Sequence, residues 1–391
     1  VITKVRYYIY LRDVLILALS AFGGPQAHMA MLFDLMVDKR GYLTEEELIE
    51  LNALCQILPG PTSTQTITAI GFKIGGPNLA YLTLLIWITP AVSLMTAAGV
   101  LISTLSANNI SIEFTKFIQP MAVGFVSYAA YKISTKVVKT YVGIVIMVIA
   151  AVLSYFFSSP YIFPVILIAA GGFTALNYKK QPKEEKVKID IKWANFLLWG
   201  GTLLFAAALG GVTDSLPVRL FENFYRNGSL IFGGGQVLIP LLYTEFVEFK
   251  DYLTSEQFLS GYAFVQSVPG PVFSFSAYIG AIANNNHGVL GGILGGLAAA
   301  IGIFLPGTFL IFFIIKIWDG LKKYRVIRAS LEGINAASSG MVAAAAILMF
   351  QPIEVNTVNI GIVIATMCLL LFTKLPAPFI IIGGLIAGFI I

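Results

Sequence analysis

The sequence has 391 residues, 57% of them apolar and 12% charged, with a net charge of +5 and a mean hydropathy of +0.84. An ordinary soluble domain is about 25% charged, so 25 basic and 20 acidic residues cannot give a chain of this length a polar surface. A soluble enzyme, a nucleic-acid binder and a disordered chain are thereby excluded, and an integral membrane protein of many spans remains.

The first residues carry Lys4, Arg6 and Arg12 ahead of an apolar stretch. No small-residue cleavage site closes that stretch, so it reads as a first span and not as a signal peptide. It opens region 7–37, which is apolar but broken by Phe22-Gly-Gly-Pro25. A second broken region, 48–76, holds Pro59-Gly-Pro61. Clean apolar runs follow near 78–103, 114–132, 139–157 and 160–176. A helix needs about 20 residues to cross ~30 Å of hydrocarbon, so each run can span. The one long hydrophilic stretch, 178–192, is lysine-rich and reads as a linker. Beyond it lie a run at 194–211, broken regions at 216–248 and 257–284, and runs near 287–317, 327–350, 358–373 and 375–391. If every broken region crosses, the chain has 13 spans; if all are re-entrant, it has nine.

The sequence repeats itself. Shifted by 210 residues, 22–66 meets 232–276 without a gap, and 15 of the 45 pairs are identical. Two motifs anchor the match: Phe22-Gly-Gly-Pro-Gln26 against Phe232-Gly-Gly-Gly-Gln236, and Gln56-x-x-Pro-Gly-Pro61 against Gln266-x-x-Pro-Gly-Pro271. A repeated half is a signature of secondary transporters. Short cytoplasmic loops concentrate lysine and arginine, and here the bias swaps sides. In the first half, loop 104–113 has no basic residue and the next carries Lys132, Lys136 and Lys139. In the second half the equivalent of the first loop carries Lys322, Lys323, Arg325 and Arg328, and the next, around 351–358, has none. The halves are therefore expected to face opposite ways, with the linker in the cytoplasm and helix 194–211 as the odd crossing. The expected fold is an all-α integral membrane protein of two inverted-topology repeats, its helices broken at the Gly-Gly-Pro and Pro-Gly-Pro motifs. The expected divisions are an N-terminal repeat 1–177, a basic linker 178–192, and a linking helix plus C-terminal repeat 193–391.

These motifs, together with Gly41-Tyr-Leu-Thr-Glu-Glu-Glu47 and Leu54-Cys-Gln-Ile-Leu-Pro-Gly-Pro-Thr-Ser-Thr-Gln65, closely resemble the chromate ion transporter family in its long, two-domain form. The resemblance covers both halves. It implies export of an oxyanion across the inner, cytoplasmic membrane, with chromate the named substrate and sulfate its close analogue.

The residues suggest how. Two prolines remove two backbone donors, so no helix runs through Pro59-Gly-Pro61. In lipid such a break survives only where protein or a water-filled cavity covers it. A helix restarting at Thr62, Ser63, Thr64 and Gln65 aims free N–H groups at the break, and its hydroxyls add donors, as a tetrahedral oxyanion requires. Pro269-Gly-Pro271 with Ser274 and Ser276 repeats the device with fewer hydroxyls, so the first break is expected to carry more of the anion. Gly23 and Gly24, with Gly233 and Gly234, mark similar breaks. Gln26, Gln236, Gln56 and Gln266 are candidate anion ligands beside them. The competing reading for all of these is a kinked helix with small-residue packing.

His28 is either a proton-coupling group or a hydrogen-bonded histidine; Leu238 at its place in the second half favours the second. Lys73 either attracts the anion or reaches to the surface. The Thr44–Glu47 and Thr254–Gln257 segments read as capping boxes. Two histidines and two distant cysteines, Cys55 and Cys368, supply no metal site, and no cofactor is expected. No phosphate-binding Gly-rich loop ending in Lys-Ser/Thr occurs, so ATP is not the direct energy source. The expected partners are a small inorganic oxyanion and the lipid bilayer, without nucleic acid, and a homodimer stays open. An anion channel is the rival function. An intramembrane enzyme is remote, because the chain lacks a nucleophile–base pair or metal-ligand motif.

Overall fold

A computed structural model describes residues 2–22, 24–107, 115–157, 159–180, 191, 193–213, 215–232, 235–318, 324–373 and 375–390. Among these, every regular element is helical. The first half runs α1 (Ile2–Ser20), α2 (Gly24–Leu32), α3 (Glu45–Ile57), α4 (Thr62–Ala107), α5 (Ile118–Val137), α6 (Tyr141–Phe156) and α7 (Ile162–Ala175). After the linker come α8 (Ala194–Val212), α9 (Leu216–Leu230), α10 (Gly235–Tyr243), α11 (Ser255–Ser267), α12 (Phe275–Ala283), α13 (Gly288–Ile314), α14 (Arg325–Phe350), α15 (Thr357–Phe372) and α16 (Ala377–Ile390). Among the described residues, four stretches are long and apolar enough to cross a membrane: Thr62–Leu105, Ala194–Val212, Asn285–Ile314 and Arg325–Phe350.

Apart from α1 and the start of α4, the broken regions consist of short helices. At 1.5 Å per residue, the nine residues of α12 and the 13 of α3 rise far less than the ~30 Å of a bilayer core. Gly75 and Gly76 leave helical geometry, so α4 is two helices meeting at a kink, one starting at Thr62 and one running through the apolar stretch 78–103.

Local backbone structure repeats with the sequence. Helix α2 winds on as a π-helix over Phe33–Lys39, and α10 does the same over Thr244–Phe249. Positive φ then falls on Gly41 (57°) and Asp251 (54°), on Gly60 (118°) and Gly270 (119°), and on Gly76 (72°) and Gly288 (74°). Both capping boxes form. Thr44 Oγ1 accepts from Glu47 N while Glu47 Oε2 accepts from Thr44 N, and Thr254 and Gln257 exchange the same pair of bonds.

The chain divides into two compact units, and each takes segments from both sequence halves. The first comprises Val1–Val100, Ile191–Ser229 and Val265–Ile317. Its helices approach through glycines: a side chain on Gly280 would collide with the Gly295 carbonyl, and one on Gly228 with the Ile303 carbonyl. The lone cation of the α2–α3 loop, Arg40, folds back onto α1. Its Nε lies 2.8 Å from Asp13 Oδ2, and the Tyr42 hydroxyl donates to the same oxygen at 2.9 Å. Asp13 is buried, and this pairing makes its charge tolerable there.

The second unit comprises Leu101–Asp190, Leu230–Phe264 and Trp318–Ile391. Helix α14 is its centre, packed by α5, α6, α7 and α10. Gly333 admits the Ala170 carbonyl and Gly340 the Met147 carbonyl, too close for any side chain. Ser134 and Ser339 share a hydrogen bond across the packing of α5 on α14. Here Lys250, which stands at the repeat position of Arg40, pairs at 2.9 Å with the fully buried Glu245 on its own π-helix.

Large apolar side chains remain uncovered by protein on the outer helices, among them Leu204 and Phe205 on α8, Val148 and Ile149 on α6, and Ile364 on α15. Lipid is the solvent that suits such a surface.

Candidate functional site at the paired Pro-Gly-Pro breaks

Helix α3 stops at Ile57, Leu58 turns extended, and α4 starts at Thr62, leaving Pro59-Gly-Pro61 between them. All three break residues are buried. The amide of Gln65 bridges the gap: its Nε2 donates to the Pro59 carbonyl at 2.6 Å. Side chains on Gly60 or Gly307 would press on that amide. The bridge fixes the orientation of the amide, because a carbonyl can only accept. Gln65 Oε1 is then a buried acceptor without a partner among the described residues.

Four hydroxyls that follow this first break, those of Ser63, Thr64, Thr66 and Thr68, bond to protein. Ser63 Oγ meets His28 Nδ1 at 3.0 Å. Thr64 Oγ1 accepts from Trp87 Nε1 at 3.2 Å. Thr66 and Thr68 donate to the Thr62 and Thr64 carbonyls. The His28 ring is 1% exposed and stands edge-on to Trp87, with centroids 5.4 Å apart. Its Nε2 faces the Ala21 carbonyl at 3.0 Å, so Nε2 carries the proton.

The second break repeats the turn at its central glycine but differs in the helix start and in chemistry. Helix α11 ends at Ser267, Pro269-Gly-Pro271 follows, and a 3₁₀ turn over Val272–Ser274 leads into α12. Phe275 occupies the position of Gln65. The hydroxyls of Ser274 and Ser276 are fully buried and find no partner among the described residues. Leaving a buried donor unmade costs about 1–3 kcal/mol.

Both breaks lie in the first compact unit, and Ala21, at the end of α1, connects them. Its carbonyl accepts from His28 Nε2 and also from the Gly270 N–H at 2.8 Å. One chain of hydrogen bonds thus runs from Ser63 through His28 and Ala21 to Gly270. Every group in it is neutral or a dipole, as suits a site for an anion.

The other sequence-predicted residues fall as follows. Gly24, with φ of 75°, opens α2. Gly23, Gly233 and Gly234 lie outside the described residues, as do the side chains of Gln26 and Gln236. Gln56 is exposed; Gln266, Thr62 and Pro269 are half-buried; Gly270 and Pro271 are buried. The Lys73 ammonium is bonded to Glu47 Oε1 at 2.5 Å, which ties the end of the first α4 segment to the start of α3. That contact and the Thr44 N–H hold the Glu47 carboxyl below the usual carboxylate range. Among the described residues no group of three metal-ligating side chains occurs. Sequence reasoning passed over Trp87 and Ala21, and named Gln65 only as part of the restarting helix. Only Gln65 carried a signal, a polar side chain six residues beyond Pro59.

Comparison with known proteins shows the family of the chain. The chromate transporter family profile matches residues 10–176 and again 218–389. The chain belongs to the chromate transporter family. An uncharacterised transporter of Methanocaldococcus jannaschii is 25% identical over 383 residues, covering 96% of this chain and 92% of its own. A probable chromate transport protein of Synechococcus elongatus is 27% identical, covering 94% and 91%. A chromate transport protein of Cupriavidus metallidurans is 24% identical, covering 94% and 89%. No solved structure matches the chain. This chromate transporter family member is a multi-pass protein of the cytoplasmic membrane and a transporter, not an enzyme. Oxyanion transport of the chromate type is the function supported at the level of the family.

Proposed function

We propose that this protein is a secondary transporter that exports chromate or a related divalent oxyanion such as sulfate. In this reading the anion is held in the first compact unit, between the two Pro-Gly-Pro breaks. The observation that carries it is the convergence of both breaks, 210 residues apart, on one carbonyl, Ala21, with helix N-termini and unpartnered buried serines beside them. Helix N-termini at breaks near the midplane are a recurrent transporter device for anionic groups.

The two halves are inverted repeats in the membrane plane. The matched positive-φ positions and the swapped basic loops support this arrangement. The short helices flanking each break are re-entrant and meet near the midplane. Export of an anion from a cell that is negative inside is electrically downhill by ~2.3 kcal/mol per charge per 100 mV, so the reaction runs without ATP.

Counterflow of labelled sulfate and chromate in proteoliposomes tests the reading. Saturable flux accelerated by unlabelled anion on the far side is the expected result. Flux that rises linearly with concentration, without such acceleration, identifies an anion channel instead.

A further inference from the structure

The His28 ring has two unlike partners. At Nε2 it faces the Ala21 carbonyl, which can only accept. At Nδ1 it faces the Ser63 hydroxyl, which can donate or accept. With the ring neutral, Ser63 donates its proton to Nδ1. With a proton on Nδ1 the ring donates to Ser63 Oγ, and the hydroxyl proton is released to another acceptor. The Nε2 bond to Ala21, and through Ala21 the tie to Gly270, persists in both states. The ring can therefore gain a proton without losing a hydrogen bond.

That change alters the first break in two ways. It frees a donor in the first turn of α4, and it places a positive charge beside that turn. Both favour an anion there. The groups on the neighbouring elements are otherwise engaged. On α1, Tyr10 donates to the Ile67 carbonyl and Asp13 is held by Arg40 and Tyr42. On α4, Lys73 is paired with Glu47. Beyond α2, Lys39 is paired with Asp34 and Asp38 is exposed. Residues 266–276 of the second break carry no titratable side chain, and Trp87 does not titrate.

We propose that His28 is a positioning residue that couples a proton to the oxyanion: protonation at Nδ1 turns the Ser63 hydroxyl away from the ring and toward the anion at the breaks. The proposal rests on the reading of the breaks as the anion site. It reverses the expectation, drawn from Leu238 in the second half, that His28 is only a structural hydrogen-bonding group. The second half lacks the device, so one proton accompanies one anion.

The test is proton uptake when the purified full-length chain binds sulfate. Sulfate stays fully ionised over about pH 6–8, the range in which histidine changes charge, so any proton taken up enters the protein. The same titration with chromate, after subtraction of its own protonation, gives a second probe. Wild-type protein is expected to take up to about one proton per anion, and its affinity to rise by as much as about tenfold per unit fall in pH. His28→Gln and His28→Asn are expected to bind with no proton uptake and a flat pH profile. Ser63→Ala, which keeps the ring but loses the rotating hydroxyl, is expected to show a reduced slope. Anion binding by wild-type protein without proton uptake overturns the proposal, and so does an unchanged slope in His28→Gln or His28→Asn. If wild-type protein binds neither anion, the site reading itself fails, and this proposal with it.

Discussion

The two breaks, 56–76 and 266–288, repeat the turn at the central glycine but differ in the helix start and in chemistry. Gly60 and Gly270 agree within one degree of φ, and each follows a 13-residue helix that starts with a capping box. Around the first break the polar side chains have protein partners: Gln65 the Pro59 carbonyl, Ser63 the His28 ring, Thr64 the Trp87 indole. Around the second, Phe275 replaces the bridging glutamine and two buried serines stay unpartnered. The count of hydroxyls ranks the first break above the second, whereas the unpartnered serines favour the second as the proposed anion site.

The backbone comes first, because both breaks depend on it equally. An alanine at Gly60 must adopt a φ that L-residues rarely take, and its Cβ would meet Gln65 Nε2 at 2.8 Å. At Gly270 the same change would meet the Ala91 methyl at 2.8 Å. Such strain costs about 1–3 kcal/mol. Gly60→Ala and Gly270→Ala are each expected to lower thermal stability and to cut counterflow more than tenfold. If one is silent, the breaks do not share a site.

The orientation of the halves can be tested at Asp38 and Glu248, exposed repeat partners on the two π-helices. Single cysteines placed there, in a background with Cys368 replaced, are expected to react with an impermeant maleimide from opposite faces of the membrane. Labelling from the same face removes the inversion.

Smaller effects sharpen the comparison. Asp251 holds a positive φ where the first half has Gly41. Asp251→Gly is expected to leave stability unchanged or raise it by up to about 1 kcal/mol, measured by thermal unfolding. Gly41→Asp is expected to lower it by a similar amount. Thr44→Ala and Thr254→Ala should each cost about 0.5–2 kcal/mol, and the same amount in both halves, because the two capping boxes are alike.

Much of this architecture was legible in the sequence, for definite reasons. Spans show as apolar runs because lipid tolerates little else, and the repeat shows because Pro59-Gly-Pro61 and Pro269-Gly-Pro271 keep a backbone shape that few residues allow. The capping boxes are local and were read directly. What stayed hidden depends on contacts between distant segments. Ala21 acts through its carbonyl, which no side-chain pattern reveals. Gln65 matters because its amide reaches a carbonyl six residues back across a proline break. The freedom of Ser274 and Ser276 is a fact about neighbours, and composition cannot express it.

The central claim, that the unpartnered serines of the second break hold the anion, is tested most directly by equilibrium binding of chromate to purified protein. Each donor to a charged ligand contributes about 1.5–3 kcal/mol, and 1.4 kcal/mol is a factor of ten in affinity. Ser274→Ala with Ser276→Ala is therefore predicted to weaken binding at least tenfold, and Thr64→Ala with Thr66→Ala to weaken it less. Undiminished binding in the serine double variant, or a larger loss in the threonine one, would contradict the account.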